Sequence, residues 1–186
     1  MSRVFLSHSS PDSRSAIAVK AWLVEREPGL AKEIFLDLDP HTGIRPGQRW
    51  KQALQQANTR CEAVICLLSK HWEASHECRT EYRYAETLNK AIVVARLEPV
   101  PDTNITSEWQ RCDLFPDHRP TTAVDIADDG EPVVFDSEGL QRLLAWFSAC
   151  FHRSPGRMPV CGSRSKKISS ASPSSCSISH FLTATA

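Results

Sequence analysis

The chain has 186 residues, enough for one domain and a tail but hardly for two domains. Hydrophobic residues make up 41% and charged residues 24%, ordinary values for a soluble globular protein. Lys plus Arg balances Asp plus Glu at 22 each, but five of the basic residues and none of the acidic ones follow His152, so residues 1–152 carry 17 basic against 22 acidic groups. A body of that sign has no electrostatic reason to bind nucleic acid. No stretch approaches the ~20 apolar residues needed to cross a bilayer, and the opening Met-Ser-Arg-Val-Phe-Leu-Ser lacks the long apolar run of a signal peptide. The seven cysteines are odd in number and include no Cys-x-x-Cys pair, and Cys61 and Cys66 read as small buried side chains. Neither a disulfide framework nor a zinc site is expected, and a reducing, cytoplasmic setting fits best.

Apolar runs of strand length alternate with segments of helical period, the pattern of βαβ units around a parallel sheet. Val4-Phe5-Leu6 is the first short strand. Ser10-Pro11 then supplies an N-cap hydroxyl and a proline at the first helical position. Ala16, Val19 and Leu23 recur at helical spacing until Pro28-Gly29 stops the helix. Ile34-Phe35-Leu36 is a second strand, and Asp37 to Gly47 is a loop rich in Asp, Pro and Gly. A helix from about Gln48 to Asn58 puts Trp50, Ala53, Leu54 and Ala57 on one face. The uninterrupted apolar run Ala63 to Leu68 suits a central strand covered on both sides. A third helix is expected from near Ser75, its cap, to Asn89, with Cys78, Tyr82 and Ala85 inward. Ala91 to Leu97 is the fourth strand. An irregular stretch with Pro99, Pro101, Pro116 and Pro120 follows, then Thr122 to Ile126 as a short edge strand, and a last helix from Ser137 carrying Leu140, Leu143, Leu144 and Phe147. The sum is a five-stranded α/β sandwich with helices on both faces.

From Arg153 to Ala186 the character changes. Ten of those 34 residues are serine, and no apolar period is sustained. Such a segment cannot bury enough surface to offset its ordering entropy, so disorder is expected. It fits a regulatory tail, and it fits better the by-product of a truncated or frame-shifted reading frame.

Three stretches, in order, resemble the TIR domain family. Val4-Phe5-Leu6-Ser7-His8 resembles its opening box. Phe35 to Asp39 followed by Gly43-Ile44-Arg45-Pro46-Gly47 is similar to its second strand and BB loop. Leu68 to Glu81 resembles the pattern Leu-Ser-x-x-(aromatic)-x-x-Ser-x-x-Cys-x-x-Glu. The resemblance covers roughly residues 1–150, and the domain it implies is expected over 1–152. It implies a flavodoxin-like five-stranded parallel sheet with helices on both faces. Within the family the chain looks most like bacterial TIR modules, in particular those ahead of STAND-type ATPase and repeat regions, although no P-loop or repeat is present here.

The resemblance also implies a chemistry. Many TIR domains cleave NAD+ at the bond between nicotinamide and ribose, and Glu81 matches the family's catalytic glutamate. That bond breaks through an oxocarbenium-like state, which a nearby carboxylate stabilises. Nicotinamide leaves as a neutral molecule, so no strong general acid is required and one carboxylate suffices. NAD+ is then the substrate, and no metal or prosthetic group is needed. Without the resemblance, Glu81 reads as a solvated glutamate on a helix flank.

Further candidates surround it. Ser7 and His8 follow the first strand, at the sheet edge where ligands bind in open parallel folds, whereas Phe5 reads as core. Ser10 and the helix after it offer backbone N–H groups to a phosphate. His8 has no second ligand at metal spacing. Arg45 fits either a pyrophosphate or subunit contact or a solvated loop. Trp72 fits stacking on a flat ring less well than helix packing. Cys78, one turn before Glu81, reads as packing rather than a nucleophile because no base is evident beside it. One position departs from the family pattern: related bacterial enzymes often place an aromatic residue just before the cysteine, where this chain has Glu77.

Two functional classes follow. One is an NAD+ glycohydrolase in bacterial defence or stress signalling, activated by self-association with other TIR domains. The other is a non-catalytic TIR interaction scaffold. A phosphorelay receiver of similar topology is disfavoured, because no aspartate cluster accompanies Asp12 after the first strand.

Overall fold

Side chains on successive strand residues point to opposite faces, so an apolar run of even modest length feeds two cores at once. The computed structural model describes residues 2–39, 43–44, 47, 49–101, 105–126 and 130–151, and shows this division clearly. Strands β1 (Val4–Ser7), β2 (Ile34–Phe35), β3 (Ala63–Leu68), β4 (Ala91–Arg96) and β5 (Arg111–Asp113) form one sheet in the order β2-β1-β3-β4-β5. Each neighbouring pair is parallel.

From β3, Ala63, Ile65 and Leu67 enter a core with Ala16, Val19 and Leu23 of α1 (Ser13–Arg26) and Leu140, Leu143 and Phe147 of α5 (Ser137–Phe151). The alternate residues Val64, Cys66 and Leu68 enter a second core on the other face. There they meet Trp72 of α3 (Lys70–Ala74), Cys78, Tyr82 and Ala85 of α4 (His76–Thr87), and Leu54 and Ala57 of α2 (Trp50–Arg60). The expected class, with helices on both faces, is thus the observed one. Among the described residues no helix is long and apolar enough to cross a membrane.

The structure corrects four details. The fifth strand of the sheet is not Thr122–Ile126 but β5, inside the stretch read as irregular. Only its central residue, Cys112, is buried, so three residues with two polar flanks leave no apolar signature. β6 (Thr121–Val124) pairs instead with β7 (Val133–Asp136) in a separate antiparallel hairpin, whose Val124 and Phe135 cover the α1–α5 core. The helix expected to start at Ser10 opens as a 3-10 turn over Ser10–Asp12, and α1 proper begins at Ser13. Ser9, not Ser10, occupies the cap position of that turn, and its hydroxyl goes to the Asp12 carboxylate. Finally, residues 70–87 form two helices. Ser75 has extended backbone (φ −73°, ψ 123°) and breaks the path between them. Arg45, the expected helix start at Gln48 and the tail from Arg153 onward lie outside the described residues.

One buried cation secures the wall behind α4. Lys90 precedes β4, is buried, and its ammonium donates to the carbonyls of Asn58, Thr59 (3.1 Å) and Cys61 (2.8 Å) at the C-terminal end of α2. A cation there satisfies carbonyls that the helix leaves unpaired and complements its dipole. Lys90→Met keeps the stem but strands those carbonyls. We expect it to cost about 2–3 kcal/mol, each hydrogen bond to a charge being worth about 1.5–3, measured by urea unfolding; a loss under about 0.5 kcal/mol would show that water replaces the ammonium.

Candidate active site

Short, polar segments leave the C-terminal edge of the sheet, where parallel strands converge and helices begin. Ser7 ends β1, with His8 next in the chain; Asp37 follows β2; Ser69 follows β3 and leads into α3. The Ser69 hydroxyl accepts from the N–H groups of His71 (3.2 Å) and Trp72 (3.1 Å), which caps α3, and donates to Asp12 at 2.6 Å. Ser75 caps α4 by accepting from the Cys78 N–H at 3.2 Å, as its place in the sequence implies. With α4 started there, Glu81 comes to rest against β1. The Ser7 hydroxyl donates to the Glu81 carboxylate at 2.7 Å. Asn58 on α2 donates to the Glu81 backbone carbonyl at 3.0 Å, tying the two helices together.

Glu81 lies where two clefts meet. One, about 160 Å³, runs along Ser7, His8, Ser10, Asp37, Ser75 and Cys78. The other, about 330 Å³, lies between α2 and α4 and is lined by residues including Lys51, Asn58, His76 and Tyr84. Leu54, Glu77 and Glu81 border both. Burial pushes the Glu81 carboxyl up to about 7; the Ser7 hydrogen bond pulls it back, while Asp37 and Glu77 push it further up. The group therefore exchanges its proton near neutrality, as a carboxylate that handles protons or positive charge in a reaction should.

The other candidates divide. His8 has its side chain only 5% exposed, with Nδ1 3.7 Å from Asp37 and Nε2 3.4 Å from the Ser13 hydroxyl. Burial lowers its pKa against the pull of Asp37, so the ring is neutral at pH 7. Cys78 is buried, and its thiol donates to the His8 carbonyl at 3.3 Å. Burial is the main reason its pKa rises to about 11, which leaves it protonated and agrees with packing rather than nucleophilic work. Phe5 is core, stacked on Phe35 at 5.6 Å. The alternative of a substrate-stacking ring is corrected, and Trp72 takes the packing role its sequence position favours. It is fully buried, packs its edge on Tyr82 at 6.2 Å, and donates its indole N–H to Ser7 at 3.1 Å. A ring with no exposed face cannot stack on a ligand. Glu77 is exposed and borders both clefts, and Tyr84 is an aromatic residue of the second one. Asn58 was not foreseen: an asparagine near a helix end carries no sign in sequence of the helix it will meet. Asp37 was legible as a loop acid but not as a partner of His8.

Fold and site together define an α/β domain of flavodoxin-like strand order with a half-buried carboxylate in a cleft at the C-terminal sheet edge. The family model for the TIR domain matches residues 4–127, well over half of the chain, and the protein belongs to that family. The crystal structure of the TIR domain of the Toll-related receptor TRR-2 from Hydra magnipapillata is similar with a TM-score of 0.49 and 14% identity, over 60% of this chain and 84% of that one. No curated protein matches the sequence.

Proposed function

We propose that this domain is an NAD+ glycohydrolase with Glu81 as its catalytic group. The observation that carries the reading is the Glu81 carboxylate itself, positioned by Ser7 between two clefts and titrating near pH 7. In the reaction the C1′–N bond of the nicotinamide riboside breaks, and its electron pair neutralises the pyridinium. The ionised carboxylate stabilises the ribosyl cation left behind. Water adds to C1′, and Glu81 accepts the proton that water loses, giving ADP-ribose; attack by an adenine nitrogen instead gives a cyclic isomer. Ser7, His8, Ser75 and the backbone at Ser10 are the proposed substrate contacts, with Arg45 from the loop after Asp39. Purified protein incubated with NAD+ should release nicotinamide, resolved by chromatography; intact NAD+ at high protein concentration would end this reading.

Glu77, acidic where related enzymes are aromatic, favours the second reading, a TIR scaffold without activity. Both readings share self-association. The Asp39–Gly47 segment, which follows Asp37 in the chain, is the proposed contact, and assembly the proposed switch: a neighbour that binds the competent arrangement better than the idle one populates it. Activity per molecule should then rise across a hundredfold increase in concentration, and Arg45→Glu should blunt the rise. Flat activity in both proteins would show that one chain holds a complete pocket. A role in bacterial defence or stress signalling, in the cytoplasm, would follow from NAD+ consumption of this kind.

A further inference from the structure

A buried indole N–H can only donate. Trp72 is fully buried, and its one polar atom lies 3.1 Å from the Ser7 oxygen. Ser7 is itself buried, so its hydroxyl accepts from Trp72 and has a single proton left to place. That proton goes to the Glu81 carboxylate, 2.7 Å away. With Glu81 ionised, the order Trp72 to Ser7 to Glu81 is set by its two ends, since the indole can only donate and the carboxylate can only accept. The indole is also fixed in position: its edge packs on Tyr82, whose hydroxyl accepts from the Trp109 indole at 2.8 Å and meets the Ile105 carbonyl at 2.9 Å.

We propose that Trp72 is a positioning residue for Glu81 and acts on it solely through the Ser7 hydroxyl, which the indole N–H orients toward the carboxylate. Ser7 then serves Glu81 in place of the direct substrate contact proposed above. The proposal rests on the reading of Glu81 as the working carboxylate, but the coupling can be observed without catalysis. It also separates Trp72 from a packing role: packing would survive removal of the Ser7 hydroxyl, and a relay would not.

The test is the titration of the Glu81 side-chain carbon by NMR, its signal identified by its loss in Glu81→Gln. Other groups around Glu81 are kept unchanged: Asp37 and His8 beyond the strand ends, Glu77 on α4, Lys51 on α2, and the buried thiols of Cys66 and Cys78. Ser7→Ala removes the donor to the carboxylate and should raise the Glu81 midpoint above its wild-type value. Trp72→Phe keeps a ring against Tyr82, loses only the N–H, and should shift the midpoint the same way by less. The double variant should titrate like Ser7→Ala alone, the non-additivity of a shared path. In NAD+ cleavage, Ser7→Ala should lower kcat roughly tenfold with little change in KM. The proposal is overturned if Trp72→Phe shifts the midpoint equally with and without the Ser7 hydroxyl, or if either single substitution leaves it unmoved. If the titrations behave as expected while the wild type leaves NAD+ intact, the positioning stands and the proposed activity falls.

Discussion

Glu81→Gln should reduce NAD+ cleavage at least about a hundredfold, the scale of losing a main electrostatic stabiliser in a cleft, while the domain stays folded. Glutamine keeps the length and can still accept from Ser7, so only the charge is lost. The wild-type pH profile should carry the same signature. The carboxylate must be ionised to stabilise a cation, and burial holds its pKa up at about 7. Activity should therefore fall as pH drops below about 7, close to tenfold per pH unit. Stability moves the other way. The folded protein holds this proton more tightly than the unfolded chain, whose glutamate titrates near 4.5. Between those values the folded state binds more protons, so this group's contribution to stability declines as pH rises from 4.5 through 7. Glu81→Gln removes that decline, and at pH 8 the variant should melt no lower than wild type. A variant that cleaves NAD+ at the wild-type rate would remove Glu81 from the mechanism.

Gly139→Ala should lower the melting temperature by roughly 6–12 °C, at about 2–4 °C per kcal/mol for a domain of this size. Gly139 lies in the first turn of α5, where its N–H donates to the Asp136 carboxylate at 2.7 Å. A Cβ there would stand 1.8 Å from the Asp113 carbonyl oxygen, far inside contact distance and against rigid backbone. Either α5 retreats, pulling Leu140, Leu143 and Phe147 from the core, or β5 yields. Forcing atoms into such a site costs about 3 kcal/mol or more. Helix propensity alone has the opposite sign, favouring alanine by about 1 kcal/mol. Calorimetry thus decides the matter by direction: a higher melting temperature would show that α5 does not press on β5. Glu138→Ala, exposed and one residue away, serves as the control and should change stability by no more than about 0.5 kcal/mol.

The local order of the chain was legible because it rests on near neighbours. Continuous apolar strands at 63–68 and 91–96, the helical stripe Cys78-Tyr82-Ala85 and the cap at Ser75 each follow from spacing and side-chain chemistry, and the structure has all of them. The three family boxes also carried Ser7 and Glu81 to the same site. Tertiary contacts decided the rest. β5 is a strand because β4 offers it a ladder and Arg96 pairs with Asp113 at 2.5 Å, not because its three residues prefer extension. Thr121–Val124 leaves the main sheet because Val133–Asp136 is there to pair with it. Trp72, an aromatic residue at helical spacing, favours packing in the sequence but leaves stacking open until β1 closes over it and takes its N–H. The proton affinity of Glu81 belongs to no residue type either: it comes from burial and from Ser7, Asp37 and Glu77, which meet it only in the folded chain. Periodicity depends on residues a few positions apart, whereas desolvation and hydrogen-bond partnership depend on whatever the fold brings close, here across 74 residues between Ser7 and Glu81.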